Sequence, residues 1–225
     1  MQQPLWKRLA SYIQPVHLET TESDYNDLLK VVLKKGRYQL LTANAIYSYG
    51  DLYDNFSKAF KRIDIAKRPI ENVLIIGFGL GSIPYMLEKT FHRKYYYTAV
   101  EIDEEVLYLA NKYVVPDLTS NLNFVVSDAR SFVNICEDEF DLICMDAFHD
   151  DKVPEELEET GFLEDLKSLL TPNGILVFNK LAFHLPDKQE ALRFFKNRFL
   201  TTFPNGVYID VDGNYMLIND RKFLL

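Results

Sequence analysis

The sequence predicts an α/β protein: a doubly wound, mostly parallel seven-stranded sheet that ends in an antiparallel hairpin and is preceded by a small antiparallel β lobe. Three observations carry that prediction. From Phe56 onward, apolar strand-like runs alternate with helix-like segments, the rhythm of parallel strands joined by crossover helices. In VLIIGFGLGSIPYMLEK, residues 73–89, the first such run meets Gly77, Gly79 and Gly81 before a helix begins. That order suits a buried strand whose C-terminal end lets a ligand approach the backbone. Near the other end, VYIDVDGNYMLIN alternates apolar and polar residues on both sides of Asp212-Gly213, a strong hairpin signal.

Taken in order, VHLETTES and LLKVVLKKGRYQLLT, with a turn at Lys35-Gly36, predict the N-terminal lobe over residues 1–50, and residues 51–225 form the main domain. Parallel strands fall at 72–77, 95–102, 123–126, 140–146 and 174–179. Helices fall at 82–90, 104–113, 129–135 and 159–170. Pro172-Asn173-Gly174 reads as a turn ahead of the fifth strand. A helix over 188–203 then leads into the hairpin, whose two strands complete the sheet.

The composition limits the functions open to such a fold. With 48% hydrophobic and 14% aromatic residues, the chain carries enough apolar matter for a sizeable core. Its formal charge of −8 opposes nucleic acid and anionic membranes as partners, because gripping a polyanion needs a concentrated basic surface. The local exception, Lys58, Lys61, Arg62, Lys67 and Arg68, reads as a solvated helix face. Cys136 and Cys144 show neither metal nor redox spacing. The first residues lack a signal-peptide core and no apolar run is long enough to span a bilayer, so a cytoplasmic location is expected.

The glycines alone leave the ligand open. Their spacing is G-x-G-x-G with Ser82 next, short of the dinucleotide fingerprint, and no Gly-Lys-Ser/Thr closes a phosphate loop. Three acids narrow the choice: Glu101 ends the second strand, Asp128 the third and Asp146 the fourth. In open α/β sheets ligands bind outside the carboxyl ends of the strands, so one ligand could meet the glycines and all three acids. The two oxygens of Glu101 suit a ribose diol.

On these residues the chain resembles the S-adenosylmethionine-dependent methyltransferase fold, the Rossmann-like class I architecture, and within it the spermidine synthase family. VLIIGFGLGS is similar to the family's glycine-rich loop, AVEIDEEVLYLANKY to its second strand and helix, SDAR to its adenine-contacting turn, and FDLICMDAF to its catalytic strand end. SDYNDLLKVVLKKGRYQLL resembles the family's serine-x-tyrosine-glutamine strand and hairpin, with Asn26 in place of glutamine. The resemblance implies S-adenosylmethionine as cofactor and no metal. Gly77, Gly79 and Gly81 would line its methionine and ribose part, Glu101 and Ile102 would meet the ribose, Asp128 and Ala129 the adenine, and Asp146 would be the catalytic acid. Tyr47, Tyr49, Tyr53 and His149 are the expected substrate contacts.

The chain departs from the family at three places. Leu80 replaces a loop aspartate, His149 a second catalytic-region aspartate, and Tyr53-Asp54-Asn55 the polyamine-binding tyrosine-histidine-glutamate. Polyamines are held by several carboxylates, so the expected activity is methyl transfer to a small-molecule acceptor that is not nucleic acid, with intact S-adenosylmethionine the preferred donor. Aminopropyl transfer to a polyamine is the alternative, and a cofactor-binding module without chemistry is the second. A homodimer is compatible with all three.

Overall fold

The structure is a computed structural model that describes residues 3–43, 45–148 and 152–225. The N-terminal lobe is larger than a hairpin. Helix α1 (Leu5–Ala10) precedes four antiparallel strands, β1 (Val16–Thr21), β2 (Leu29–Lys34), β3 (Arg37–Leu41) and β4 (Ile46–Ser48), in sheet order β1-β2-β3-β4. Lys35 and Gly36 both hold positive φ, 50° and 72°, which gives the two-residue turn joining β2 to β3 the twist its strands need. The SDYN stretch is a turn, not a strand. Ser23 Oγ accepts from the backbone N–H of Tyr25 and Asn26 at 3.3 and 3.1 Å, satisfying the donors that a strand would have paired.

The main domain opens with α2 (Asp54–Arg62) and continues as β5 (Asn72–Ile76), α3 (Ser82–Lys89), β6 (Tyr96–Glu101), α4 (Glu104–Tyr113), β7 (Asn121–Val126), α5 (Ala129–Ile135), β8 (Phe140–Met145), α6 (Thr160–Ser168) and β9 (Leu170–Leu181). Helix α7 (Leu185–Phe194) runs on through a π-helical turn, Phe195–Phe199, before the hairpin of β10 (Val207–Asp210) and β11 (Asn214–Ile218). The seven strands lie in the order β10-β11-β9-β8-β5-β6-β7. β5 through β9 pair in parallel, while β11 is antiparallel to both β9 and β10. Asp212 (φ 59°) and Gly213 (φ 114°) form the expected turn.

β9 is longer than predicted. Phe140 on β8 pairs with Leu170 and Leu142 pairs with Ile175, so the Pro-Asn-Gly signal sits inside the strand as a bulge rather than ahead of it. The central strands of the sheet are buried on both faces. Val73 and Ile75 belong to one core with Phe56, Phe60, Met86 and Leu109, and their neighbours Leu74 and Ile76 to a second with Val133, Phe162 and Phe194. That alternation is the two-residue period of a strand covered on both sides, and each such aliphatic side chain contributes about 1.5–3 kcal/mol. Among the described residues no helix is long and apolar enough to cross a membrane. In the basic cluster, Lys58 pairs with Asp54 and Asp212, Lys67 with Asp64, and Arg68 donates to the carbonyls of Ile63 and Phe223.

Candidate active site at the carboxyl edge of the sheet

Strand order reverses between β5 and β8, and a cavity of about 1160 Å3 opens at the carboxyl ends of the strands there. Gly77, Gly79, Glu101, Asp128 and Asp146 all line it. The lobe supplies another wall through Tyr25, Asn26, Ile46 and Tyr47. A further wall comes from residues 152–158 and from α7 and its π turn, including Arg193 and Asn197.

The glycines make room for the chain itself. A Cβ on Gly77 (φ 85°) would overlap the Asp146 carbonyl oxygen and lie 2.6 Å from its carbon and 2.7 Å from Ala147 N. On Gly79 it would meet the Tyr47 carbonyl oxygen at 3.3 Å. Gly77 thus lets the ends of β5 and β8 close together, bringing Asp146 beside the loop. Gly81 is the residue ahead of α3, and its missing Cβ accommodates the Phe78 ring at 2.8 Å. It does not reach the cavity. Nor does Leu80, which is 1% exposed and turned into the core.

Glu101 closes β6 and is tied to three backbone N–H groups: Gly79 reaches its Oε2 at 3.0 Å, and Ile102 and Asp103 reach Oε1 at 3.0 and 3.3 Å. Burial still raises its pKa, partly offset by these hydrogen bonds, with the Asp103 charge acting in the same direction as burial. Two bonds on one oxygen and one on the other leave one of about four lone-pair sites, on Oε2, for a ligand. Asp103, only 2% exposed, caps α4 by accepting from Glu105 and Val106, and its Oδ2 takes Ser23 Oγ at 2.5 Å and Asn26 Nδ2 at 2.8 Å. The lobe is therefore fastened one turn from Glu101.

Asp146 follows the end of β8, with its backbone N–H on the Ile76 carbonyl at 2.8 Å. Its Oδ1 accepts from Asn179 Nδ2 at 2.8 Å and, more loosely, from the Tyr53 hydroxyl at 3.4 Å. Burial pushes its pKa from 3.8 up to about 7; the Asn179 and Tyr53 bonds work against that rise, and the Glu101 charge adds to it. Tyr53 is held well above the ordinary phenol range by the same burial. A buried carboxyl poised near neutrality is suited to taking a proton.

The remaining expected residues divide. Ile102, Ala129, Tyr47 and Tyr53 line the cavity. Asp128 does so while also capping α5 through Ser131 N at 2.8 Å. Tyr49 does not: its backbone N–H binds Ser82 Oγ, and its ring lies under Lys34. His149 lies outside the described residues. Sequence reasoning passed over Tyr25, Asp103, Asn179 and Asn214. Of these, Asp103 carried a local signal, as an acid directly before a helix, and Tyr25 stood within the SDYN stretch of the family resemblance without being assigned to the site.

The spermine/spermidine synthase domain pattern matches residues 63–211. A polyamine aminopropyltransferase of Vibrio vulnificus (strain CMCP6) is 34% identical over 112 residues, 48% of this chain and 37% of that protein. The eEF1A lysine and N-terminal methyltransferase homolog of Drosophila melanogaster is 26% identical over 167 residues, 70% of this chain and 25% of that protein. The chain thus matches well under half the length of either relative. A probable spermidine synthase from Corynebacterium glutamicum ATCC 13032 superposes with a TM-score of 0.70 at 17% identity, covering 89% of this chain and 78% of that one. Human methyltransferase-like protein 13 in complex with SAH superposes at 0.56 and 22% identity, covering 71% and 75%. At these identities the two structures establish a shared fold.

Proposed function

The chain belongs to the spermine/spermidine synthase domain family, and from that premise we propose that it transfers an aminopropyl group from decarboxylated S-adenosylmethionine to an amine acceptor. One observation carries the choice. Glu101 and Asp146 share a cavity, both are raised in pKa by burial, and no cation offsets either among the described residues. Arg193 and Lys152 are exposed on the outer wall, and Arg198 donates to the Glu158 carbonyl. Such a cavity favours the more cationic donor, and the decarboxylated form lacks the carboxylate that offsets the amino end of S-adenosylmethionine.

Fit supports a ligand of this class. The volume suits an adenosyl-sized molecule, Glu101 Oε2 keeps an acceptor site for a ribose hydroxyl, and exposed Ile102 with Asp128 and Ala129 forms a wall for a flat base. Once bound, the donor would supply a carbon made electrophilic by its sulfonium leaving group. Asp146 then holds the acceptor amine and takes its proton, while Tyr53 and Asn179 keep the carboxyl in place. The relatives named for aminopropyl and for lysine and N-terminal methyl transfer both imply an amine nucleophile.

Methyl transfer is the second reading. One observation favours it: Leu80 is buried, so the glycine loop offers no carboxylate to an ammonium end. Calorimetric titration with the decarboxylated donor, S-adenosylmethionine and S-adenosylhomocysteine, followed by incubation with putrescine, separates the two. The expected result is tightest binding of the decarboxylated donor and a transferred aminopropyl group, with Glu101→Gln weakening binding by about 1.5–3 kcal/mol. Preference for S-adenosylmethionine without aminopropyl product overturns the first reading in favour of the second. Binding of none of the three overturns both.

A further inference from the structure

The Asp146 carboxyl is held by a chain of amides that begins on the C-terminal hairpin. Asn214, the first residue of β11, donates from Nδ2 to Asn179 Oδ1 at 2.9 Å, and Asn179 donates from Nδ2 to Asp146 Oδ1 at 2.8 Å. Asn179 is fully buried in β9, where an amide without partners at both ends would be costly. Both of its ends are used. Asp146 Oδ2 accepts no hydrogen bond among the described residues.

We propose that Asn179 and Asn214 are positioning residues of this site: Asn214, acting through Asn179, fixes Asp146 with Oδ1 engaged and Oδ2 left for the acceptor. The logic lies in the direction of the donors. An ionised carboxylate only accepts, so Asn179 must turn its NH2 group to Asp146 and its carbonyl the other way. That carbonyl then needs a donor, and the Asn214 amide supplies it. Each link favours the ionised, proton-accepting form of Asp146. The other groups facing the carboxyl are the Tyr53 hydroxyl ahead of α2, the Glu101 carboxyl at the end of β6, and the Cys144 thiol on β8 itself. Of these only the Tyr53 hydroxyl also meets the Asn179 amide, and the group hydrogen-bonded to the Asn179 carbonyl is the Asn214 amide. The inference rests on the reading of Asp146 as the proton-taking group.

The test reverses the chain. Asn214→Asp puts an acceptor where the donor was, so Asn179 turns its NH2 group toward the hairpin and its carbonyl toward Asp146, which then binds best when protonated. Carbon-13 NMR of the aspartate side-chain carboxyls, with the Asp146 signal assigned from Asp146→Asn, follows its titration directly. The expected result is a midpoint shifted upward by about one pH unit or more, the scale of a lost hydrogen bond to a charged group. Asn214→Ala should shift it in the same direction by less. Donor calorimetry on the same variants separates this inference from the function it rests on. An unmoved midpoint in Asn214→Asp, or in Asn214→Ala should the first variant fail to fold, overturns the relay even where donor binding is intact. A wild-type chain that binds no donor overturns the functional reading and leaves the measured relay as a structural device.

Discussion

Gly77→Ala tests whether the glycine loop exists to admit the end of β8. At φ 85° an alanine pays about 1–2 kcal/mol for the left-handed conformation alone. Its Cβ would also lie 2.6 Å from the Asp146 carbonyl carbon and 2.7 Å from Ala147 N, both backbone atoms that cannot rotate away. Forcing such an overlap typically costs about 1–3 kcal/mol more. The sum, roughly 2–5 kcal/mol, is a large part of the stability of a typical domain, and its midpoint of about 3.5 kcal/mol corresponds to a melting temperature lower by about 7–14 °C. The damage should also be local. Moving the Asp146 backbone pulls its carboxyl away from Asn179 at 2.8 Å, so the Asp146 midpoint should move too. Gly161→Ala is the internal control: in α6 an added Cβ meets only the Arg130 side chain at 3.8 Å, and the helix should gain up to about 1 kcal/mol. Urea denaturation of both variants is the assay. Gly77→Ala with wild-type stability and an unshifted Asp146 would refute the packing account and return the glycine to a purely ligand-facing role.

The other expectations are simpler. Asp146 has a folded pKa of about 7 against an ordinary 3.8, so its contribution to stability is fully present below about pH 4 and is lost as pH rises to about 7, up to roughly 4 kcal/mol for three pH units. Asp146→Asn should therefore gain on the wild type over that window, and parallel denaturation curves with no relative change from pH 4 to 7 would contradict the buried, proton-holding carboxyl. Lys180 pairs with Glu158 at the cavity wall with both side chains nearly buried and with the ammonium over the Phe194 ring. Lys180→Met should cost about 3–5 kcal/mol by stranding that carboxylate, and pairing it with Glu158→Gln should recover much of the loss; a single variant as stable as the wild type would dismiss the pair.

Much of this arrangement was legible in the sequence because its signals are local. β5 and β8 carry the apolar runs 73–76 and 142–145, Asp212-Gly213 is a turn dipeptide, and Glu101, Asp128 and Asp146 announce themselves at strand ends. The bulge in β9 was hidden for the opposite reason. Pro-Asn-Gly has the same local chemistry whether it precedes a strand or interrupts one, and only the pairing of Phe140 with Leu170 decides. The purpose of Gly77 was equally hidden, since the atoms its Cβ would strike belong to Asp146 and Ala147, far along the chain. Asn179 and Asn214 carried no signal at all: an asparagine inside or beside a strand is unremarkable until the fold sets one amide against the next. Leu80 shows the limit of carrying a motif over position by position, because a side chain aligned with a ligand-holding acid is here part of the core.

The lobe and the sheet are one site in electrostatic terms. Asp103 is buried two residues past Glu101, and its charge adds to the burial that raises the Glu101 pKa. What makes that buried charge tolerable is the set of donors around it: two backbone N–H groups of α4, and Ser23 and Asn26 from the lobe. The same turn that delivers those two donors places Tyr25 and Asn26 on the cavity wall. Docking the lobe therefore builds one side of the pocket and compensates the acid two residues from Glu101, the residue proposed to hold a ribose. Undocking would expose the pocket and withdraw two hydrogen bonds from Asp103 in a single step, so ligand binding and lobe docking must stabilise each other, as any ligand that needs both walls requires.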